Sequence, residues 1–453
     1  MAIGLAKSNS ISPARLAAFE ILRRVEEGSY ASVLLTAKEP ELAPLDRALC
    51  HELVMGVLRR QLWLDRLAEF YANRKVDDLD IPVRLALRLG LYQLRFLSRI
   101  PASAAVNESV NLVYFARLRS AAGLVNAVLR RATREPDVDP AATIDDPIER
   151  LAVSASHPIW LIKRWVKALG VKETEAFARA NNEPAPVAFR VVRKRADETE
   201  VCDRLRREGA MLTPSRITNG AWRVIGGGTL LAELAAEGKV YIQDEASQLV
   251  AAALGAEPGD RVLDLCAAPG SKTTQIADAA QDAMVVAADI HLHRLRSVMQ
   301  TAQVQSLNGS ISCVGLDGTR RLPFKKDAFD RVLVDAPCSG TGTLRRNPEI
   351  RWRISPEAIK DLSRRQYQLI LEGSQFVKPG GRLIYSTCSI ESDENESVAH
   401  AFLENRKDFS PATLLADESL ITGSGEARTW PHRQDVDGFF ISAFTRGAEP
   451  NFE

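Results

Sequence analysis

A multidomain chain is predicted: an all-α front, then a small α+β module, then an α/β domain with a mostly parallel seven-stranded sheet. Three observations predict it. The 453 residues exceed what one hydrophobic core supports. Apolar residues recur at helical spacing early in the chain. Late in the chain they gather instead into short runs that alternate with helical segments, the pattern of βαβ units.

The front domain spans residues 9–135. RLAAFEILRRV, RALCHELVMGVLRRQLWLDRLAEFY, PVRLALRLGLYQLRFL and GLVNAVLRRA each carry the helical period, giving five or more helices. Pro136, Pro140 and Pro147, set among aspartates, interrupt any continuing helix and mark a linker over 136–150. Residues 151–232 mix helices (WLIKRWVKALG, TEVCDRLRREG) with strand candidates (VAFRVV, AWRVI) and form the small module. Residues 233–447 hold the runs RVLDL, MVVAADI, ISCVGLD, RVLVDAP, GRLIYSTC and GFFISAF. Such sheets bind ligands beyond the carboxyl ends of their strands, so the chemistry belongs just after each run.

Hydrophobic residues make up 45% and charged residues 26%, ordinary globular usage that excludes a disordered or fibrous chain. No stretch approaches the roughly 18 uninterrupted apolar residues of a membrane span, and Met1 to Ser10 lacks the build of a secretion signal. A soluble cytoplasmic protein is the expectation. The cysteines Cys50, Cys202, Cys266, Cys313, Cys338 and Cys388 are scattered without CxxC pairs, so neither a disulfide scaffold nor a metal site is expected. The net charge of +1 conceals an asymmetry: residues 1–140 carry +4, residues 154–230 carry +6 and residues 231–453 carry −7. A front half that handles a polyanion fits this distribution, as do solvated helix faces.

The first α/β strand runs into DLCAAPGSKTTQIA, where Gly270 permits close backbone approach and a helix begins whose free N–H groups can receive polar ligand atoms. Asp289 ends the second strand 19 residues after Gly270, where an acid can accept both hydroxyls of a ribose. Asp317 closes the third run, within reach of an adenine amine. The loop lacks GxGxxG and the complete spacing GxxxxGK[ST], which demotes NAD and ATP. Three strand-end acids in register point to S-adenosylmethionine.

The fourth strand ends in DAPCSGTGTLRRNPEIRW and the fifth in YSTCSI, so Cys338 and Cys388 face the same crevice. Carbon 5 of cytosine is a weak nucleophile. A thiolate that adds at carbon 6 turns the ring into an enamine able to take a methyl group, dividing one hard step into easier ones. Asp335 is placed to hydrogen-bond ring nitrogen 3 if partly protonated, or the amine side of the base. An adenine-amino methyltransferase would carry [DN]PP and an aromatic residue here. Spacing alone does not rank the two cysteines. For Cys50, Cys202 and Cys313 the expected role is packing.

With these residues assembled, the chain resembles, over nearly its whole length, the RsmB (Sun/Fmu) family of ribosomal RNA small-subunit cytosine-5 methyltransferases. The carriers are YIQDEASQLVA, CAAPGSKT, ADIH, DAPCSGTGTLRRNPEIRW, YSTCS and WPHRQDVDGFFIS in order, with AVNESVNL and GLVNAVLRR in the front. The resemblance implies an amino-terminal NusB-like RNA-binding bundle and a Rossmann-like S-adenosylmethionine domain acting on 16S ribosomal RNA. It implies that Cys266, Ala267, Ala268, Pro269, Gly270, Ser271, Lys272, Asp289, Asp317 and Asp335 line the cofactor pocket. It also makes Cys388 the nucleophile and Cys338 the residue that assists release. Ser271 replaces a frequent glycine, and Asn347 a frequent histidine.

Arg345, Arg346, Arg351 and Arg353 form a basic island in an acidic domain, and contact with RNA phosphates is their expected use, beside the alternative of a helix surface. The target cytosine must be unpaired or flipped out, because a side chain cannot reach it inside an A-form duplex. Two rivals remain at this level: a DNA cytosine methyltransferase using Cys338, and an RNA-binding assembly factor whose enzyme domain is vestigial. A monomer is expected.

Overall fold

The computed structural model describes residues 11–448. The expected start of the helical domain at residue 9, and the Met1–Ser10 stretch, lie outside them. Two compact units are present. Residues up to Pro184 together with Leu344–Arg353 form the first, and Ala185–Thr343 with Ile354 onward form the second.

In the first unit, helices Pro13–Glu26, Ala31–Lys38, Pro44–Arg59, Gln61–Ala72, Ile81–Phe96, Ala102–Phe115 and Ala122–Arg134 build an all-α bundle. Its last helix buries Ala122, Val125, Val128, Leu129 and Ala132, one stripe at helical spacing. Ile81–Phe96 instead buries every residue from Leu85 to Gln93, as the central helix of a bundle must. The prolines predicted to break the chain are followed by a new helix, Pro147–Ser154, whose first turn donates to the Asp146 carboxylate. Helices Ile159–Leu169 and Val171–Ala180 pack together through Trp165 and Phe177, edge to face at 4.8 Å. Both lie in the range read as part of the small module, yet they belong to this first unit.

The second unit opens with a four-stranded antiparallel sheet of β1 (Val187–Val191), β2 (Met211–Pro214), β3 (Ala221–Ile225) and β4 (Val240–Ile242), in the order 2-3-1-4. Helix Glu198–Arg207 joins β1 to β2, and Gly228–Ala236 joins β3 to β4. This is the βαββαβ plan of a ferredoxin-like module. Phe189, Val191, Val224 and Val240 from the strands meet Val201, Leu205, Leu231 and Leu234 from the two helices.

The larger sheet holds β5 (Arg261–Asp264), β6 (Met284–Asp289), β7 (Ile311–Gly315), β8 (Phe329–Asp335), β9 (Val377–Thr387), β10 (Phe409–Pro411), β11 (Ala427–Arg428) and β12 (Phe440–Arg446). The main path runs 10-12-9-8-5-6-7, with β11 paired to β12 outside it. Strands β5 to β9 are mutually parallel where they pair, and β12 is antiparallel to β9. Alternate residues serve opposite faces: Val262, Leu333 and Ile384 enter one core, while Leu263, Val332, Val334, Leu383 and Tyr385 enter the other. Continuous apolar runs are the consequence of covering both faces of a parallel sheet. The connections reverse direction between β5 and β8, so a crevice opens beyond the ends of those two strands. Among the described residues, no helix is long and apolar enough to cross a membrane.

Candidate active site

The predicted cofactor loop leaves β5 at that switch point. Gly270 caps helix Ser271–Ala279 with φ +105°, and a Cβ there would stand 3.1 Å from the Val298 backbone, so glycine is required twice over. Ala267 N–H donates to the Ala288 carbonyl at 2.9 Å, and Gly270 N–H to the Ala267 carbonyl at 2.8 Å, which fixes the loop against β6. Asp289 ends β6 nearly buried. Its two oxygens accept from His291 N–H at 2.8 Å and Ala268 N–H at 3.3 Å, leaving lone pairs for a further donor. Asp317 lies two residues beyond β7. It accepts from the amide and hydroxyl of Thr319 at 3.0 and 2.7 Å and pairs with Arg320 at 3.2 Å. The Thr319 bonds, with that arginine, lower its pKa.

Lys272 is the charged centre of the loop. Its ammonium donates to Asp335 Oδ2 at 2.7 Å and lies 5.2 Å from the centroid of the Phe439 ring. Burial works against its charge, but the Asp335 carboxylate prevails and raises its pKa. The other Asp335 oxygen accepts from Ser386 Oγ at 2.7 Å. One strand-end acid escaped the sequence reading. Asp264, the last residue of β5, is 1% exposed, accepts from Thr273 Oγ1 at 2.7 Å, and has no partner for Oδ1 among the described residues. Burial, reinforced by the nearby Asp335, pushes its pKa up to about 7 despite the Thr273 bond. The argument from strand ends that found Asp289 applied to it equally. An acceptor-rich, partly unsatisfied pocket of this kind suits a ligand carrying an ammonium and ribose hydroxyls.

The two strand-end cysteines meet. Cys338 Sγ and Cys388 Sγ are 3.0 Å apart, each half-buried, just beyond the ends of β8 and β9. The hydrogen bond with Cys388, together with burial, holds the Cys338 thiol well above the usual range. Two glycines allow the approach. Gly342 N–H donates to the Cys388 carbonyl at 2.9 Å, and Gly438 N–H to the Gly342 carbonyl at 2.8 Å. A Cβ on Gly342 would sit 1.9 Å from the Gly438 carbonyl oxygen, which no side chain can do. Cys266 is buried enough that its thiol pKa rises strongly, and Cys50 and Cys202 are packed in cores, as read from the sequence.

The basic island requires a correction. Leu344–Arg353 belongs to the helical unit, where its side chains complete helix ends. Arg351 is fully buried and donates to the Ser156 carbonyl at 3.0 Å, Asn182 Oδ1 at 2.9 Å and the Asn181 carbonyl at 3.2 Å. Burial, with Arg59 and Arg60 nearby, lowers its pKa to about 9. Arg345, also buried, donates to the Pro184 carbonyl at 2.8 Å. Arg353 donates to the carbonyls of Val25, Gly28 and Ser29 at 2.6, 3.1 and 2.7 Å, satisfying the carboxyl end of helix Pro13–Glu26. Glu349 accepts from Ala31 N–H at 3.0 Å, at the opening of helix Ala31–Lys38. Arg346 is half-buried. For Arg345, Arg351 and Arg353, carbonyl oxygens take donors that phosphates were expected to take.

Comparison with known proteins identifies the domains. Residues 251–445 match the family model described as 16S rRNA methyltransferase RsmB/F, residues 12–134 the NusB family, and residues 157–227 the RsmF/B-like ferredoxin-like domain. The chain is 34% identical to the probable ribosomal RNA small subunit methyltransferase B of Bacillus subtilis, over 95% of this chain and 98% of that one. It is 33% identical to the ribosomal RNA small subunit methyltransferase B of Vibrio cholerae, over 95% and 96% respectively. The solved structure of PH0851 superposes with a TM-score of 0.82 at 27% identity, covering 96% of this chain and 99% of that one. A NusB bundle, a ferredoxin-like module and a methyltransferase sheet follow one another along the chain as in those relatives, and the chain belongs to the RsmB/F family of 16S ribosomal RNA methyltransferases.

Proposed function

We propose that the protein transfers the methyl group of S-adenosylmethionine to carbon 5 of an unpaired cytosine in 16S ribosomal RNA, through a covalent adduct between Cys388 and carbon 6. The observation that carries this reading is the thiol pair, two sulfurs 3.0 Å apart at the ends of adjacent parallel strands, beside the Lys272–Asp335 ion pair. The residues Cys266–Lys272, Asp289 and Asp317 would hold the cofactor, with Asp264 added to them. When bound, S-adenosylmethionine supplies an electrophilic methyl on a sulfonium.

Cys388 as thiolate adds to carbon 6, and the ring electrons shift toward carbon 5 and nitrogen 3. Asp335 is held by Lys272 and Ser386, and a carboxylate so paired accepts hydrogen bonds. It therefore suits the exocyclic amine of cytosine better than the bare nitrogen 3. After methylation a water molecule takes the proton from carbon 5, the electron pair of that carbon–hydrogen bond restores the ring double bond between carbons 5 and 6, and the carbon–sulfur bond breaks with its pair returning to Cys388. Cys338 keeps its proton and donates S–H to the departing sulfur, which assists release. The basic front segments supply salt-sensitive affinity for the RNA, and the protein works as a cytoplasmic monomer.

The test separates the two sulfurs. Cys388→Ala lowers methyl transfer by about 10⁴-fold or more, while Cys338→Ala accumulates a protein–RNA adduct that survives denaturing gels and maps to Cys388. An adduct trapped on Cys338 instead would reverse the assignment. Bisulfite sequencing of ribosomal RNA with and without the gene identifies the cytosine.

A further inference from the structure

Behind the thiol pair lies a carboxylate to which no role has been assigned. Glu394 is fully buried in the loop after β9, six residues past Cys388. Its Oε1 accepts from Ser339 N–H at 2.8 Å and Gln366 Nε2 at 2.9 Å. Its Oε2 accepts from Ser389 Oγ at 2.6 Å and from Ser339 Oγ. Four donors fill the four good acceptor directions of a carboxylate and offset much of the cost of burying its charge, although burial still raises its pKa.

The identity of the donors matters more than their number. Ser339 follows Cys338 directly and Ser389 follows Cys388 directly, so one carboxylate grips the neighbour of each sulfur-bearing residue. The two hydroxyls also touch each other at 3.0 Å. Gln366, from helix Pro356–Ser374, extends the grip by donating to the Pro337 carbonyl at 2.9 Å, on the other side of Cys338. Asn395, the next residue, donates to the Ser389 carbonyl at 2.9 Å. A packing role would need none of this chemistry, because an apolar side chain fills buried space at lower cost.

We propose that Glu394 is a positioning residue for the methyl-transfer reaction: by binding the residue after each cysteine it sets the separation and aim of the two sulfurs. The inference rests on the cysteine mechanism proposed above. Its negative charge also contributes to holding the Cys338 proton in place. Misplacement of reacting groups by about 1 Å costs about 100-fold in rate, which sets the scale of the expected effect.

The experiment combines two readouts on the full chain. In single-turnover methylation of ribosomal RNA, Glu394→Ala is expected to lower the rate by about 100-fold and Glu394→Gln by less than about 10-fold, since the amide oxygen still accepts from Ser339 N–H and Gln366 while its NH2 donates to the two serine hydroxyls. Affinity for S-adenosylmethionine, by calorimetry, stays within about 2-fold of wild type in both, because among the described residues the side-chain hydrogen bonds of Glu394 go to Ser339, Ser389 and Gln366 and not to the cofactor loop. The second readout needs no enzymatic activity. Diamide withdraws two electrons and two protons from the Cys338 and Cys388 thiols, forming the S–S bond and becoming the hydrazine. The rate at which the joined peptides appear by mass spectrometry reports sulfur approach. That rate is expected to fall in Glu394→Ala and recover in Glu394→Gln.

Unchanged methylation and unchanged pairing in Glu394→Ala would overturn the inference, as would wild-type protein in which diamide never joins Cys338 to Cys388. Parallel loss of cofactor binding, rate and melting temperature would also overturn it, in favour of plain structural support. Should Glu394→Ala not fold, Ser389→Ala decides: loss of about 10-fold in rate with slower pairing sustains the inference, and wild-type values end it. Should no variant and no wild type methylate cytosine, the cysteine mechanism fails while diamide pairing still judges the grip on the sulfurs.

Discussion

Two buried cations in this molecule have opposite surroundings. Arg351, in the helical unit, has neutral carbonyl and amide oxygens around it and two further arginines nearby, and its pKa falls to about 9. Lys272, in the methyltransferase domain, has a carboxylate at 2.7 Å and its pKa rises. Carbonyls satisfy donors without offsetting charge, which suits a residue that joins backbone segments. A carboxylate partner fixes charge in place, which suits a group that must present a defined field to a ligand. Burial of a basic residue alone does not reveal its role; the chemistry of its acceptors does.

Substitutions can break or sharpen that contrast. The largest effect is expected at Lys272→Met, which leaves Asp335 without its cation. Loss of such a pair costs about 100-fold or more in S-adenosylmethionine affinity or in turnover at saturating RNA, read by calorimetry and steady-state assay. If the variant instead bound and turned over normally and merely unfolded early, the two cations would be alike. Arg351→Met comes next. Stability is expected to fall by about 3 kcal/mol, because several buried carbonyls lose their donor, and urea denaturation measures it. The salt dependence of RNA binding should not change; a slope reduced by about one would restore the phosphate role.

The smallest effect concerns Asp264, an acid with no cation in hydrogen-bond contact among the described residues. Its folded pKa, about 7, lies above the ordinary value of 3.8. The sign follows: its contribution to stability is complete below the unfolded value and is lost as the pH climbs to about 7. The slope is at most about 1.4 kcal/mol per pH unit. Asp264→Asn should remove this slope, so that urea midpoints at pH 5 and pH 8 draw together. An unchanged difference would show that Asp264 titrates normally.

The crevice was largely legible in the sequence because its residues sit at strand ends, and the period of apolar runs locates strand ends well. Cys338, Cys388, Asp289 and Asp335 were found in that way. Asp264 obeys the same rule, but it stands directly before the glycine loop, whose pattern dominates that stretch of sequence. Glu394 gave no such signal. It lies in ESDENES, a charged string that reads as solvent-exposed, and only tertiary structure brings serines from two loops and a glutamine from a helix around it. The arginine island failed for the converse reason. Its charge suggested a surface, whereas the acceptors that draw Arg351 inside are main-chain carbonyls, which have no sequence signature. At the boundary of the small module, helical period located Ile159–Leu169 and Val171–Ala180; the ferredoxin-like family match over residues 157–227 includes both helices, while their packing groups them with the helical unit.

Gly342 and Gly438 bear on any attempt to reshape this enzyme for other bases or for larger alkyl donors. Main chain touches main chain there, so the room beside the sulfurs cannot be trimmed or widened by choosing a different side chain at either position. Libraries that randomise those two codons would be filled with collapsed variants. Diversity is better placed on side chains away from this backbone crossing, where shape can change while the crossing stays closed.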